Sequence, residues 1–247
     1  MGSFERGLGS VAIEVPHEIA EDRGCIPVRE LASRYDAAAP HWHRRMRWLG
    51  YPGAYARLFI RLQAAARLRP LDLGGRVLDC GIGTGVLSLA LAYVAPVREV
   101  VGVDIAPAML REAAANLAAA GIRAELRRAD AHRLPQPDAS FDAVVSAHML
   151  EHLAQPEDAI GEMVRVLRPG ALLVIVATRT TLADHLIRLK WRHVPIGRDH
   201  LITWMRSRGL RDIEVRSVGK TPSPACWLSR AFVGRKGELM APQGRYA

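Results

Sequence analysis

The sequence lacks most of the features that would place it in a special class. It holds only three cysteines, Cys25, Cys80 and Cys226, too few and too scattered for a disulfide framework. That usage points to a reducing compartment and a cytoplasmic location. The longest uninterrupted apolar run is Ala171–Ala177, far short of a membrane span. No charged segment followed by an apolar stretch opens the chain, so no secretory leader is expected. A myristoylation signal is spoiled by Arg6, where Ser or Thr is required. Lysine is scarce: Lys190, Lys220 and Lys236 are the only three among 34 basic residues. No acidic residue lies between Asp36 and Asp72, a stretch that carries seven arginines. Internal repeats and low-complexity tracts are absent.

The composition is that of an ordinary globular chain. Its 247 residues are 49% hydrophobic and 24% charged, with mean hydropathy +0.03. This suffices for one well-buried domain with elaborations, or at most two small domains, and excludes a wholly disordered or collagen-like chain. The net charge is +9. Abundant Arg, Ala, Gly and Pro suggest a GC-rich coding sequence, which would raise Arg without any functional cause. The charge is nevertheless uneven: +3 over residues 1–74, −3 over 75–177, +6 over 178–220 and +3 over 221–247. Coding bias acts on every segment, so the acidic middle needs its own explanation. A basic surface on the remainder favours an anionic small-molecule acceptor or an anionic membrane surface.

Apolar periodicity divides the chain. Residues 1–27 are weakly patterned and read as an arm. Residues 28–72 repeat apolar positions at helical spacing, with Pro40 and the Gly50–Gly53 segment dividing them into about three short helices that form a lid. From 73 to 247 strands and helices alternate. Strands are expected at Arg76–Cys80, Glu99–Asp104, Arg123–Ala129, Phe141–Ala147, Ala171–Thr178, Ile213–Ser217 and Trp227–Gly234. Helices are expected from Val86, Pro107 and Glu157 and over 182–191 and 198–208. Such alternation indicates βαβ units and a mostly parallel sheet, an α/β Rossmann-like sandwich.

The chemistry concentrates in Val77-Leu-Asp-Cys-Gly-Ile-Gly-Thr-Gly85, at the first strand-to-helix turn. Glycines let a ligand approach the backbone, and the following helix N-terminus offers unpaired N–H groups. Asp104 ends the second strand, where a carboxylate can accept both ribose hydroxyls of a nucleoside. A dinucleotide fingerprint needs a third glycine where Val86 stands. Asp79 would also repel a pyrophosphate but receive an amino group. These details favour a nucleoside carrying an amino acid, while an NAD-linked oxidoreductase stays open as the weaker alternative.

Together with Val101–Ile105, Pro107-Ala-Met109, Arg128–Ala131, Phe141-Asp142, His148–His152 and Arg165–Gly170, this loop resembles the class I S-adenosylmethionine-dependent methyltransferases, in particular the small-molecule group that includes quinone-ring enzymes. The resemblance covers about residues 30–178. It implies a seven-stranded sheet with an antiparallel last strand, and S-adenosylmethionine as cofactor with S-adenosylhomocysteine as product. On that basis Asp79, Gly81, Gly83, Thr84 and Gly85 hold the methionine end and Asp104 the ribose. Ile105 and Met109 pack on the adenine, Asp130 and Ala131 meet its edge, and Tyr35, in a Tyr-Asp segment, lies near the cofactor.

His148-x-x-Glu151-His152 also matches the H-x-x-E-H pattern of inverted zinc peptidases, and helical spacing would place all three on one face. Methyltransferases of this group carry a Leu-Glu-His here, so no metal site is expected and His152 reads as a hydrogen-bonded structural residue. His148, just past the fourth strand, is the first candidate to touch the acceptor, as a base or as a pocket wall. Trp42 and His43 in the lid, and His200 and Trp204 near the end, are further acceptor-side candidates. His41, His193, Met46 and Met205 read as packing or surface. The expected reaction is methyl transfer to an N, O or C atom of a small molecule. A lipid or quinone acceptor at a membrane surface is the alternative, and a non-catalytic cofactor-binding protein a further one. The segments typical of DNA amino, protein arginine, magnesium-dependent catechol and arsenic methylation are missing, and no nucleic-acid partner is expected.

Overall fold

The computed structural model describes residues 27–65, 75–179, 194, 196–218 and 227–238. Two helices come first, α1 (Val28–Trp48) and α2 (Tyr51–Ala64). They are joined at Gly50, whose φ of 77° ends one helix and opens the next. Then follow β1 (Arg76–Cys80), α3 (Val86–Val94), β2 (Glu99–Asp104), α4 (Pro107–Ala119), β3 (Ala124–Arg128) and β4 (Phe141–Ala147). A single 3₁₀ turn, Leu150–His152, leads to α5 (Pro156–Val166), β5 (Leu167–Thr178), α6 (Arg198–Ser207), β6 (Leu210–Ser217) and β7 (Ser229–Lys236).

The seven strands form one sheet in the order β3-β2-β1-β4-β5-β7-β6. The first five are parallel, and β7 runs antiparallel to both β5 and β6. From β1 the chain steps outward to β2 and β3, then returns to place β4 on the other side of β1. Ligands in such sheets bind beyond the strand carboxyl ends at this reversal.

Successive residues of a strand face opposite sides, and β1 shows the consequence. Leu78 and Cys80 pack with Ile160, Met163 and Leu173 in the core under α5 and α6, whereas Val77 joins Leu58, Phe59, Leu62 and Val174 under α2 and α3. Asp79 shares the second face, which points its carboxylate at the α3 side chain Ser88.

Several boundaries differ from the periodicity. Pro40 lies inside α1 instead of ending a helix. Proline costs a helix one hydrogen bond and a clash, but Leu31, Ala32 and Ala39 are buried, and the Tyr35 and Trp42 rings meet across the proline at 5.5 Å. Packing on both sides outweighs the local cost. Residues 28–72 therefore contribute two helices among the described residues, and these differ in setting. α1 lies on α4, while α2 is built into the sheet's core. β5 begins at Leu167 rather than Ala171, because Gly170 at φ 75° and a register shift opposite Phe141 and Ala143 absorb the Pro-Gly pair within the strand. The helix expected over 182–191 and His193 lie outside the described residues.

Candidate active site

The glycine loop follows β1. Gly81, Gly83 and Gly85 have φ values of 75°, 53° and 82°, a region that L side chains enter at a cost. A Cβ at Gly81 would strike the Met149 side chain at 2.5 Å, whereas one at Gly83 would meet nothing within 4 Å. Gly83 thus presents bare backbone to open space. Its N–H donates to Asp104 Oδ2 at 2.8 Å, and the Ala106 N–H donates to Oδ1 at 2.9 Å, fixing the carboxylate at the end of β2. Burial, opposed by these hydrogen bonds, raises the Asp104 carboxyl to about 6.

Asp79 is only 1% exposed and accepts the Ser88 hydroxyl at 2.6 Å. Burial lifts its carboxyl to about 7, the Ser88 hydrogen bond pulls it back, and the Asp104 charge adds to the rise. Thr84 Oγ1 is buried without a hydrogen-bond partner. An open glycine cradle, an orphaned hydroxyl and two buried carboxylates suit a ligand with a hydroxylated sugar and a cationic amino acid end. At the neighbouring strand end, Asp130 Oδ1 accepts from the His132 backbone and lies 2.7 Å from its ring Nδ1. Burial raises the Asp130 carboxyl, but the His132 contacts outweigh this and leave it below its ordinary value. The same hydrogen bond raises the His132 imidazole. Ala131 is buried beside this pair.

A second group of side chains lies past β4. His148 adopts φ 53°, unusual for a non-glycine residue and characteristic of functional loops. Its Nδ1 is 3.1 Å from Thr178 Oγ1, its Nε2 is 3.3 Å from Ser229 Oγ, and its ring meets Tyr51 edge-on at 5.3 Å. Glu151 accepts the Thr178 N–H at 2.6 Å on Oε1, which is 3.7 Å from His148 Nδ1. Burial alone would raise the Glu151 carboxyl, but His148, the Thr178 N–H and the charge of His152 outweigh it and hold it at about 2. His152 Nε2 is 2.9 Å from the Tyr35 hydroxyl. Burial, then the charges of Asp104 and Glu151, push the Tyr35 phenol well above its ordinary range. Tyr35 therefore lies between the two groups and feels both. The sequence of Ser229, His148 and Glu151 imitates a hydrolase triad, but Ser229 is 0% exposed and cannot meet a substrate.

His148, Glu151 and His152 do not share a helix face, because His148 precedes the 3₁₀ turn in a left-handed conformation. Among the described residues no group of three potential ligands could hold a metal. Trp42, Met109, Ala39 and Ala106 pack together, so Met109 is covered by α1. Ile105 is half-buried and its carbonyl accepts from Arg128. His43 lies 3.1 Å from Asn116, which also donates to the Thr84 carbonyl, so it braces the outside of the glycine loop. His200 is exposed and stacks on Trp204 along α6, and no contact among the described residues joins the pair to His148. Sequence reasoning overlooked Tyr51, Tyr55, Thr178 and Ser229. Tyr51 and Tyr55, four apart on α2, could have been read as one face turned toward the strand ends.

A methyltransferase-domain family model matches residues 78–175. A demethylmenaquinone methyltransferase of Thermus thermophilus is 46% identical over 115 residues, covering 44% of this chain and 52% of that protein. A ubiquinone biosynthesis O-methyltransferase of Xanthomonas axonopodis pv. citri is 30% identical over 196 residues, 73% of this chain and 79% of the relative. The methyltransferase solved with the Trm112 activator of Haloferax volcanii has the same fold, with TM-score 0.65 at 20% identity over 83% of this chain and 98% of that one. The chain spans about half the length of the demethylmenaquinone relatives. It belongs to the class I S-adenosylmethionine-dependent methyltransferases, and S-adenosylmethionine is its cofactor.

Proposed function

We propose that this protein transfers the methyl group of S-adenosylmethionine to a small aromatic acceptor of the quinone-precursor type. The observation that carries this reading is the placement of a polar, tyrosine-walled group, Tyr35, His148, Glu151 and His152, directly beside the Asp79–Gly83–Asp104 cradle. Asp79 receives the cofactor's amino group, Thr84 and the glycine loop its methionine end, and Asp104 the ribose hydroxyls. Asp130 and Ala131 face the adenine, with Ile105 beside them, while Met109 stays covered by α1. The cofactor supplies an electrophilic methyl on a sulfonium. The chain orients donor and acceptor and excludes water, with Tyr35 closing the site from α1.

The relatives named for demethylmenaquinone and ubiquinone synthesis favour a hydroxylated ring over other small molecules. The site interior is acidic through Asp79, Asp104 and Glu151. An anionic acceptor therefore carries its charge away from the reacting atom, toward the basic exterior. His148 is the base where the acceptor keeps its proton.

Purified protein incubated with S-adenosylmethionine and a reduced, hydroxylated naphthoquinone should release S-adenosylhomocysteine in step with a methylated ring. Asp104→Ala should weaken cofactor binding by about a hundredfold, since two hydrogen bonds to a charged group are lost. Near-normal cofactor affinity in Asp104→Ala, measured by calorimetry, would remove the ribose assignment. Cofactor binding without turnover on any ring or lipid acceptor would leave a binding protein in place of an enzyme.

A further inference from the structure

Asp130 follows β3 at the carboxyl edge of the sheet, at the strand end next to Asp104. Asp104 pairs with Arg128 across the two strands, and the Ala129 N–H donates to the Asp104 carbonyl at 3.1 Å. A tight turn comes next, closed by the Arg133 N–H on the Asp130 carbonyl at 3.1 Å. The turn folds residue 132 back over the carboxylate. Both of its nitrogens reach the same oxygen, the backbone N–H at 2.9 Å and ring Nδ1 at 2.7 Å from Asp130 Oδ1. Asp130 is held ionised at neutral pH, and an ionised carboxylate only accepts, so Nδ1 carries the proton of that contact. Two donors on one oxygen fix the rotation of the carboxylate. Oδ2 accepts no hydrogen bond among the described residues, yet it is not sealed, and the side chain keeps 10% of its surface exposed. It is an aimed and reachable acceptor.

The His132 ring is braced in turn. The Gln155 carbonyl and the Asp158 charge, at the start of α5, bear on it. Two residues later the same turn is tied to that helix, where the Leu134 N–H donates to Glu162 Oε2 at 2.8 Å and Arg165 donates to the Leu134 carbonyl at 3.0 Å. We propose that His132 is the positioning residue of adenine recognition: its Nδ1 proton on Oδ1 aims Oδ2 at the exocyclic amino group, so that the protein distinguishes adenine from a purine without that group. This rests on the reading that Asp130 meets the adenine edge. Without the ring donor the carboxylate keeps only the backbone N–H and can turn about its Cβ–Cγ bond. An unaimed carboxylate is served by water as well as by the amino group, and the preference fades. A side chain that only filled space would leave the preference intact wherever the space stayed filled.

The test measures, by calorimetry on the full chain, the binding of S-adenosylhomocysteine and of its analogue with hydrogen in place of the adenine amino group. The wild type should hold S-adenosylhomocysteine about tenfold more tightly or better, the margin of one hydrogen bond to a charged acceptor. His132→Leu fills similar space without a donor. It should reduce the preference to about threefold or less, with affinity for the analogue unchanged within about twofold. His132→Asn places an amide nitrogen where Nδ1 stood, and should restore the preference to within about twofold of the wild type. An undiminished preference in His132→Leu overturns the proposal and assigns the ring to the support of the turn. An equal loss in His132→Leu and His132→Asn overturns it as well, because the donor would then not matter. Asp130→Ala separates these results from the reading beneath them. If it leaves the preference untouched, Asp130 does not meet the adenine and His132 has nothing to aim. A preference lost in Asp130→Ala but kept in His132→Leu defeats the positioning role alone. Equal binding of the two ligands by the wild type overturns both without any variant, so a misfolded protein shields neither.

Discussion

Burial holds the Asp79 carboxyl at about 7, so near neutral pH the free protein carries it partly protonated. The cofactor's amino group needs the ionised form. Cofactor affinity should therefore fall as pH drops through 7, and fall further as Asp104, at about 6, takes up its own proton. At pH 7 binding should release about half a proton, visible as a dependence of calorimetric heat on buffer ionisation enthalpy. Affinity that stays flat between about pH 6 and 8 would remove Asp79 from the cofactor site. The stability argument has the opposite sign. An acid whose folded value is raised from 3.8 toward 7 contributes stability below about pH 4 and loses it as pH rises through 7. Asp79→Asn should then stabilise the cofactor-free protein at pH 8, on the order of 2 kcal/mol, while abolishing tight cofactor binding. Thermal unfolding with and without S-adenosylhomocysteine checks both halves. The position of Asp79 in β1, just before the glycine turn, was legible from the sequence. Its partner Ser88 was not, since a serine one turn into a helix carries no signal of its own.

The two N-terminal helices make different contributions, and truncation should separate them. α2 places Leu58, Phe59 and Leu62, each 0% exposed, against β1, β4 and β5. Phe59→Ala should cost about 3–5 kcal/mol of global stability. α1 is held differently: Asp36 Oδ1 accepts the Ala108 N–H at 2.7 Å in the first turn of α4, a cap supplied from another helix. Asp36→Ala should cost about 1 kcal/mol, expressed as roughly fivefold faster amide exchange across α1, with the global transition hardly moved. A mild Phe59→Ala, or unchanged exchange in α1, would reverse this division. At this scale the sequence was most informative where one force dominates. β1, β2 and β4 have the limits read from their apolar runs, because a strand buried on both faces leaves little choice of boundary. It was least informative where distant contacts override local preference. Pro40 reads as a break until Tyr35 and Trp42 are seen to pack across it, and Pro169-Gly170 reads as a stop until the register shift takes it into β5. Glu151 was in view throughout, but as part of a metal-like spacing; only the fold shows that one of its oxygens is left without a partner.

The charge of the whole molecule can be tested by location. The segment that builds the cofactor cradle carries −3 within a chain of +9, so the excess belongs to the helices at the front and the segments at the end. The last turns of α1 concentrate it: Arg44, Arg45 and Arg47 are exposed, and beside them Trp48 is 83% exposed. A bare indole among guanidinium groups is the pairing that favours an anionic lipid surface, where the ring enters the interface and each cation gains about 1 kcal/mol. No helix among the described residues is long and apolar enough to cross a membrane. The protein should sediment with vesicles containing phosphatidylglycerol at about 0.05 M salt and be released at about 0.5 M, where the Debye length falls to a few ångströms. Vesicles of phosphatidylcholine alone should not retain it. Replacing the three arginines by Gln should weaken the binding by about a hundredfold, and Trp48→Ala should weaken it with the salt dependence intact. Because α1 also carries Tyr35 and Asp36, a surface that holds its last turn would hold a lipid-borne acceptor near the helix that covers the site. Indifference to lipid charge and to salt would return the arginines to coding bias and leave the acceptor to arrive from water.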